Sequence, residues 1–360
     1  MAGSNRSGNE STYQKLRHLP SARRNFVTPA NVRAPNRWMS LSASMICAIS
    51  DKPKQWQVFC CDVLTVSSLN DIRTIDDTFV YKARIIDGTF VYKGSELHFR
   101  DLGQGVPLIF IHGFGASMDT WRLLVKDLRD EFRLVFLDLR GHGYSARPRD
   151  SHYSIQDHAD AVFALMEHLG LNSAVLVGHS LGSGVALLAA LNELSRPTRL
   201  VSKVVLLAGS AHPEQLQFFG RWLGVPAIAW LATQLTPASL LTRMALRRAF
   251  YDPAKVTDSL IELYAKYQRI PGTIYALMWT VRNFIAADID SVRRSLSQIQ
   301  IPVLNIIGEH DRIVPRSTAE ALSKLLPQCR LEIVDGVGHI PQEESPEAVI
   351  QLIRKFVLAP

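Results

Sequence analysis

Six short, almost wholly apolar runs alternate with stretches of helical spacing, and this alternation constrains the fold more than any other feature of the sequence. The runs are residues 108–111, 134–137, 174–177, 204–207, 303–307 and 330–334. Strands with apolar residues at every position are those buried on both faces of a sheet. Between most of them lie stretches with helical periodicity, at residues 117–130, 154–169, 181–194, 316–326 and 346–358. The pattern predicts an α/β fold, a mostly parallel central sheet flanked by helices on both sides. Ahead of the first run, Thr89-Phe90-Val91-Tyr92-Lys93 reads as a strand that Gly94-Ser95 turns into Leu97-His98-Phe99-Arg100 as a hairpin. The globular domain is therefore expected to begin near residue 84.

The rhythm breaks once. Between Leu207 and Val303 the sequence has helical patterning and no convincing strand, over a length too great for a loop in a compact domain. Residues 211–295 are expected to form a helical lid inserted into a core made of residues 84–210 and 296–358. With 47% hydrophobic and 20% charged residues over 360 positions, the chain has ample material for such a core, which excludes wholesale disorder. Two stretches without a charged side chain, residues 174–191 and 222–242, are long enough to cross a bilayer. The first is broken by Gly178-His179-Ser180-Leu181-Gly182 and reads as a buried strand and helix. The second contains Pro226, Gln234, Thr236 and Pro237 and suits a pair of lid helices, with contact to a membrane or lipid surface left open for it.

The net charge of +7 sits almost entirely in the first forty residues, which hold seven Lys/Arg and one acid. The remainder is near neutral and has no basic stripe with interleaved aromatics, so a nucleic-acid partner is not expected. Residues 11–50 contain no acid while Arg and Ser recur, the composition of an organelle transit peptide. A disordered basic tail, or a start codon placed too far upstream of Met39 or Met45, fits residues 1–80 as well. The sequence leaves the location open between cytoplasmic and organellar, with no transmembrane segment expected. Cys47, Cys60 and Cys61 lie in this leader and only Cys329 in the core, so no disulfide framework is needed. The segment 78–82 repeats as 89–93, a single short copy that is too little for a repeat architecture.

The sharpest chemical signal is Gly178-His179-Ser180-Leu181-Gly182. Placed between a strand and a helix, G-x-S-x-G makes a strained turn that lifts a serine hydroxyl above the sheet, with glycines where the backbone must close up. A helix N-terminus below it favours developing negative charge. A serine nucleophile needs a base, and the base an orienting acid. Asp311 follows the 303–307 strand in Gly308-Glu309-His310-Asp311, and His339 follows the 330–334 strand in Gly336-Val337-Gly338-His339. Both fall past strand C-termini, where open α/β sheets place their sites. Glu309 is the runner-up acid, and Glu214 a weaker one that heads into the insert. His179 reads as a packing residue beside the nucleophile, and His310 as pointing to the other side of an extended backbone. The turn His112-Gly113-Phe114-Gly115 after the 108–111 strand would aim the Phe114 amide at the same point as the Leu181 amide. Two such donors form an oxyanion hole, worth about 3 kcal/mol each. No H-E-x-x-H motif or Cys/His cluster at metal spacing is present, so neither a metal nor a cofactor is expected.

These motifs, together with Asp138-Leu139-Arg140-Gly141-His142-Gly143-Tyr144-Ser145 in its place between them, resemble the α/β-hydrolase superfamily over residues 84–358, and within it the lid-bearing serine esterase and lipase-like branch. The resemblance implies the same roles: Ser180 nucleophile, Asp311 acid, His339 base, Phe114 and Leu181 oxyanion donors, and a structural turn at 138–145. Haloalkane dehalogenases and epoxide hydrolases of similar layout need a carboxylate where Ser180 stands, and prolyl iminopeptidase-like relatives carry Gly-Gly before the serine and Trp after it. Serine here points to acyl transfer through an acyl-enzyme. The lid segment contains eleven aromatic residues, with Trp222, Trp230, Tyr275 and Trp279 as candidates for an apolar substrate pocket beside Met244 and Met278. Arg243, Arg247 and Arg248 make a basic run, read as a solvated helix face. The expected activity is carboxylic-ester hydrolysis of small to medium hydrophobic acyl groups. The alternatives are a C–C bond hydrolase or thioesterase using the same triad, although this sequence lacks near Phe114 the Gly-Pro-Gly turn associated with ring-fission hydrolases, and a ligand-sensing relative with little turnover.

Overall fold

The computed structural model describes residues 85–210, 236–286 and 289–359. The leader at 1–80 and the pocket candidates Trp222 and Trp230 lie outside the described residues. Eight strands form one sheet: β1 (Ile85–Tyr92), β2 (Ser95–Leu102), β3 (Val106–Ile111), β4 (Phe132–Leu137), β5 (Ala174–His179), β6 (Val201–Leu207), β7 (Val303–Gly308) and β8 (Cys329–Val334). Their order across the sheet is β1-β2-β4-β3-β5-β6-β7-β8. β1 and β2 are antiparallel to each other and β2 to β4, while every pair from β4 through β8 is parallel.

The apolar runs are apolar throughout because each central strand feeds two cores. Ile109 and Ile111 of β3, Leu176 of β5, and Val204 and Leu206 of β6 point to the face covered by the helices Ile155–His168 and Leu181–Asn192. Their neighbours Leu108, Phe110, Val175, Val177, Val205 and Leu207 point to the opposite face, under the helices Arg122–Leu128 and Pro346–Leu358. Each such side chain contributes about 1.5–3 kcal/mol of transfer free energy when fully buried. The edge strand β1 obeys a different rule. Its residues alternate, Val91 is exposed and Phe90 is buried, as suits an antiparallel strand with one wet face.

The hairpin turn falls one residue earlier than the Gly94-Ser95 expected from sequence. Tyr92 pairs with Ser95, so Lys93 and Gly94 are the two turn residues. Both have positive φ, 46° and 71°, as a two-residue turn matched to the strand twist requires. Lysine at the first of these positions hid the turn from a reading that looked for glycine.

Between β6 and β7 the described residues contain only helices: Ala238–Ala249, Asp258–Gln268, Thr273–Ala286 and Ile289–Ser295, with short 3-10 turns. The helix Asp258–Gln268 starts on Thr257, whose hydroxyl accepts from the Leu260 amide at 3.2 Å. Leu246, Phe250, Val256, Leu260 and Ile261 of this insert make a small core of their own, and Ile340, next to His339, belongs to it. No helix among the described residues is long and apolar enough to cross a membrane.

Candidate active site

The strand order reverses where β3 lies between β4 and β5, the point above the strand C-termini at which open α/β sheets hold their ligands. Ser180 stands there, directly after β5 and at the head of the helix Leu181–Asn192. Its backbone has φ 52° and ψ −113°, a conformation costly for a residue with a side chain. Two glycines permit it. A Cβ on Gly178 would overlap the Gly182 carbonyl, and one on Gly182 would overlap the carbonyl of Ile111 at the end of β3. The turn is pinned further by the Ser180 amide, which donates to the Leu207 carbonyl at 2.9 Å, and by the Ser183 hydroxyl, which donates to Gly178 O at 2.8 Å.

Ser180 Oγ lies 3.0 Å from His339 Nε2, and His339 Nδ1 lies 2.8 Å from Asp311 Oδ2. The Asp311 carboxylate can only accept, so Nδ1 carries the imidazole proton and Nε2 offers its lone pair to the serine hydroxyl. The other Asp311 oxygen accepts from the amides of Ile313 at 2.7 Å and Val314 at 2.8 Å, which fixes the carboxylate in its loop. Asp311 and His339 are buried while Ser180 is partly exposed, so only the serine end of the chain of bonds is open to a ligand. The structure thus brings together the three residues that lie far apart in sequence.

The turn after β3 lies close by. Gly113 leaves no room for a side chain, since a Cβ there would sit 2.8 Å from His179 Nδ1. Gly115 has φ 67°, and the Ala116 amide donates to Gly113 O at 3.2 Å. His112 braces the turn from beneath: its Nδ1 lies 2.8 Å from Gly113 O, and its Nε2 accepts from the Leu139 amide at 3.0 Å. The Phe114 ring packs edge-on to His142 and against the core. Leu181 begins its helix, where backbone amides have no partner within the helix.

Three residues do more than their sequence suggested. His179 packs beside Ser180, but its Nε2 also donates to the His339 carbonyl at 2.9 Å. Burial, reinforced by His339, depresses its pKa to about 3, so the ring is neutral at ordinary pH. Asp138 anchors the 138–145 turn from inside, taking the Met118 amide on Oδ1 at 2.8 Å and the Tyr144 amide on Oδ2 at 2.9 Å. Glu344, buried just beyond His339, takes the Gly338 amide on Oε2 at 2.6 Å and the Tyr251 amide on Oε1 at 2.8 Å. Nothing in a one-residue reading marked it, because its partners are main-chain groups from two separate segments.

The remaining candidates have contacts of their own. Tyr275 and Trp279 are half-buried on the helix Thr273–Ala286, their rings 6.3 Å apart, with the Arg282 guanidinium 4.7 Å from the Trp279 ring. This helix packs through Ala276 on Gly141. Met244 is exposed and Met278 buried. Arg243 pairs with exposed Asp258 at 2.8 Å and Arg248 donates to the Arg312 carbonyl, in keeping with a solvated helix face. His310 stacks on Tyr251 at 3.9 Å. The fold also brings Glu309, His310 and Asp335 within 4.8 Å of one another, a grouping that spacing along the chain does not reveal.

Comparison with known proteins adds the lineage. A family model described as alpha/beta hydrolase fold matches residues 106–346. The uncharacterized hydrolase YugF of Bacillus subtilis is 30% identical over 270 residues, covering 72% of this chain and 92% of its own length. A 2-hydroxymuconate semialdehyde hydrolase of a Pseudomonas species is 28% identical, over 73% of this chain and 91% of its own. Among solved structures, a thermophilic esterase from Thermogutta terrifontis superposes with a TM-score of 0.63 at 26% identity, covering 76% of this chain and 98% of that one.

Proposed function

The chain belongs to the alpha/beta hydrolase fold family, and from that premise we propose that it cleaves carboxylic esters of small to medium hydrophobic acyl groups through an acyl-enzyme on Ser180. The observation that carries this reading is the unbroken line from Asp311 Oδ2 through His339 to Ser180 Oγ, with bonds of 2.8 and 3.0 Å. His339 Nε2 takes the hydroxyl proton as Ser180 Oγ attacks the ester carbonyl. Asp311 holds the tautomer and stabilises the imidazolium that results. The oxyanion of the tetrahedral intermediate accepts from the amides of Phe114 and Leu181. His339 then returns the proton to the departing alcohol, and a water activated by the same nitrogen releases the acid. Tyr275 and Trp279 of the aromatic-rich insert are the described residues to which acyl preference is assigned. No resident metal or cofactor enters these steps.

A second reading, C–C bond hydrolysis on the same triad, is favoured by the 28% identity to the 2-hydroxymuconate semialdehyde hydrolase. Turnover of p-nitrophenyl butyrate by the wild type and by Ser180→Ala tests the ester reading: the variant should lose about 10⁴-fold or more in kcat. A wild-type rate in Ser180→Ala overturns it. A profile across C2 to C16 esters and a vinylogous 1,5-diketone then distinguishes ester from C–C cleavage.

A further inference from the structure

The base of this site sits in a loop that reaches the insert before it reaches the serine. The His339 amide donates to the Ala249 carbonyl at 2.7 Å, at the end of the helix Ala238–Ala249. Gly338 is glycine because a Cβ would overlap that same Ala249 carbonyl and lie 2.6 Å from the Tyr251 nitrogen. Two stretches of main chain, 337–339 and 249–252, therefore run against each other with no side chain between them. Extended segments in such contact expose amides that must find acceptors.

Glu344 provides the acceptors. Its side chain, 4% exposed, reaches back from the short helix Pro341–Glu344 and divides its two oxygens between the segments. Oε2 takes Gly338 N at 2.6 Å; Oε1 takes Tyr251 N at 2.8 Å and Asp252 N at 3.3 Å. The charged groups around it are few. Lys255 donates its ammonium to the Glu344 carbonyl at 2.6 Å, the Asp252 carboxylate is turned to the Ala254 amide, and Arg122 is paired with Glu343. Burial pushes the Glu344 carboxyl above its ordinary value, with the three amides and Lys255 working the other way.

We propose that Glu344 is a positioning residue for His339: by holding Gly338 on one oxygen and Tyr251 on the other, its carboxylate seats the base loop on the insert and keeps Nε2 at bonding distance from Ser180. This rests on the ester-hydrolase reading of Ser180 and His339 and assigns a residue to it that touches neither substrate nor reacting atom. Glutamate suits the task where glutamine does not. A carboxylate has two acceptor oxygens, whereas the amide has one and would turn an NH₂ toward one of the two backbone N–H groups.

The test uses the full-length protein with Glu344→Gln and Glu344→Asp, the latter retaining the charge but drawing the carboxylate back by one methylene. Expected is a loss of about 10- to 100-fold in kcat for p-nitrophenyl butyrate in Glu344→Gln, as for a catalytic group displaced by about 1 Å. KM should stay within about threefold, since no substrate contact is removed. Glu344→Asp should fall between Glu344→Gln and wild type, and it carries the same readouts if Glu344→Gln yields no soluble protein. In a His339→Ala background the Glu344 substitution should change the residual rate less than about twofold, because a residue acting through His339 cannot act without it. The low-field proton resonance of His339 Nδ1–H should shift in the variants, a readout that needs no turnover. Wild-type kcat with an unmoved resonance, or the same fold-loss with and without His339, overturns the proposal. Failure of the underlying reading looks different: Ser180→Ala would then keep the wild-type rate.

Discussion

Ser180 and His339 meet across 3.0 Å, yet they are held there by unlike means. The serine is held by its immediate neighbours: two glycines two positions away on either side, whose missing side chains let β3, β5 and the following helix close on one another. The histidine is held at a distance. Its amide rests on Ala249, its carbonyl on His179, and the preceding amide on Glu344. Ser180 is thus positioned by the sheet, and His339 is shared between the sheet and the insert. Substitutions in the residues that hold Ser180 should act on folding, all or none, while those in the residues that hold His339 should act on rate, in grades.

The largest effect should come from the serine side. In Gly182→Ala the new methyl would overlap the carbonyl oxygen of Ile111 and come within 2.8 Å of that of His112, both main-chain atoms that cannot rotate away. The expected loss is about 4–5 kcal/mol, in the range of the most severe single substitutions, or about 10 °C or more in Tm for a domain of this size. A melt at the wild-type temperature would show that the β3–helix contact yields, and would remove half of the comparison.

Acid should come next, because it strikes the residue that joins the two sides. His179, which braces both the Gly113 turn and the His339 carbonyl, and His158, on the buried face of the helix Ile155–His168, are each held by burial at a pKa of about 3. Both folded values lie below the unfolded value of about 6.5. Their contribution to stability is therefore complete above pH 6.5 and is lost as pH falls toward 3, by up to about 1.4 kcal/mol per unit for each ring. Asp138 acts in a separate window. Burial opposes its ionisation, but His98, His112 and the Met118 and Tyr144 amides hold it below the ordinary carboxylate range, so its share is lost only below about pH 4. Melts between pH 7 and pH 5 should therefore show Tm falling before Asp138 titrates; a flat Tm over that range would mean the two rings have partners or room to charge.

Much of this was legible in the sequence. The six apolar runs became the six strands of the parallel part of the sheet; the inner ones are buried on both faces and so almost wholly apolar, while β8, at the edge, is only partly buried and carries Arg330 and Glu332. The G-x-S-x-G motif was legible because its geometry is enforced within five residues. What escaped was non-local or unusual for its residue type. Lys93 takes a left-handed turn position that glycine normally signals. Glu344 finds its partners six residues back and over ninety residues back in the chain, all of them amides with no sequence signature. His179 was legible as a neighbour of the serine but not as a donor to the carbonyl of the base, since that contact spans 160 residues.

The smallest effect should come from the insert's contacts with the serine side, and it bears most directly on the contrast between the two. The helix Asp258–Gln268 touches the segment after the Gly113 turn through Tyr267, whose hydroxyl donates to Asp119 Oδ2 at 2.6 Å, and through Gln268, which donates to Gly115 O at 2.7 Å. Asp119 also pairs with Lys266 at 2.8 Å, so it keeps a partner when the hydroxyl is removed. Tyr267→Phe should then cost about 1 kcal/mol, the net worth of one hydrogen bond, and lower Tm by about 2–4 °C. Its kcat should stay within about twofold of wild type, because the turn is braced independently by His112 and by the glycine contacts below it. A tenfold loss of kcat at nearly unchanged Tm would mean that the insert also sets the oxyanion side. The serine and histidine halves would then depend on it alike.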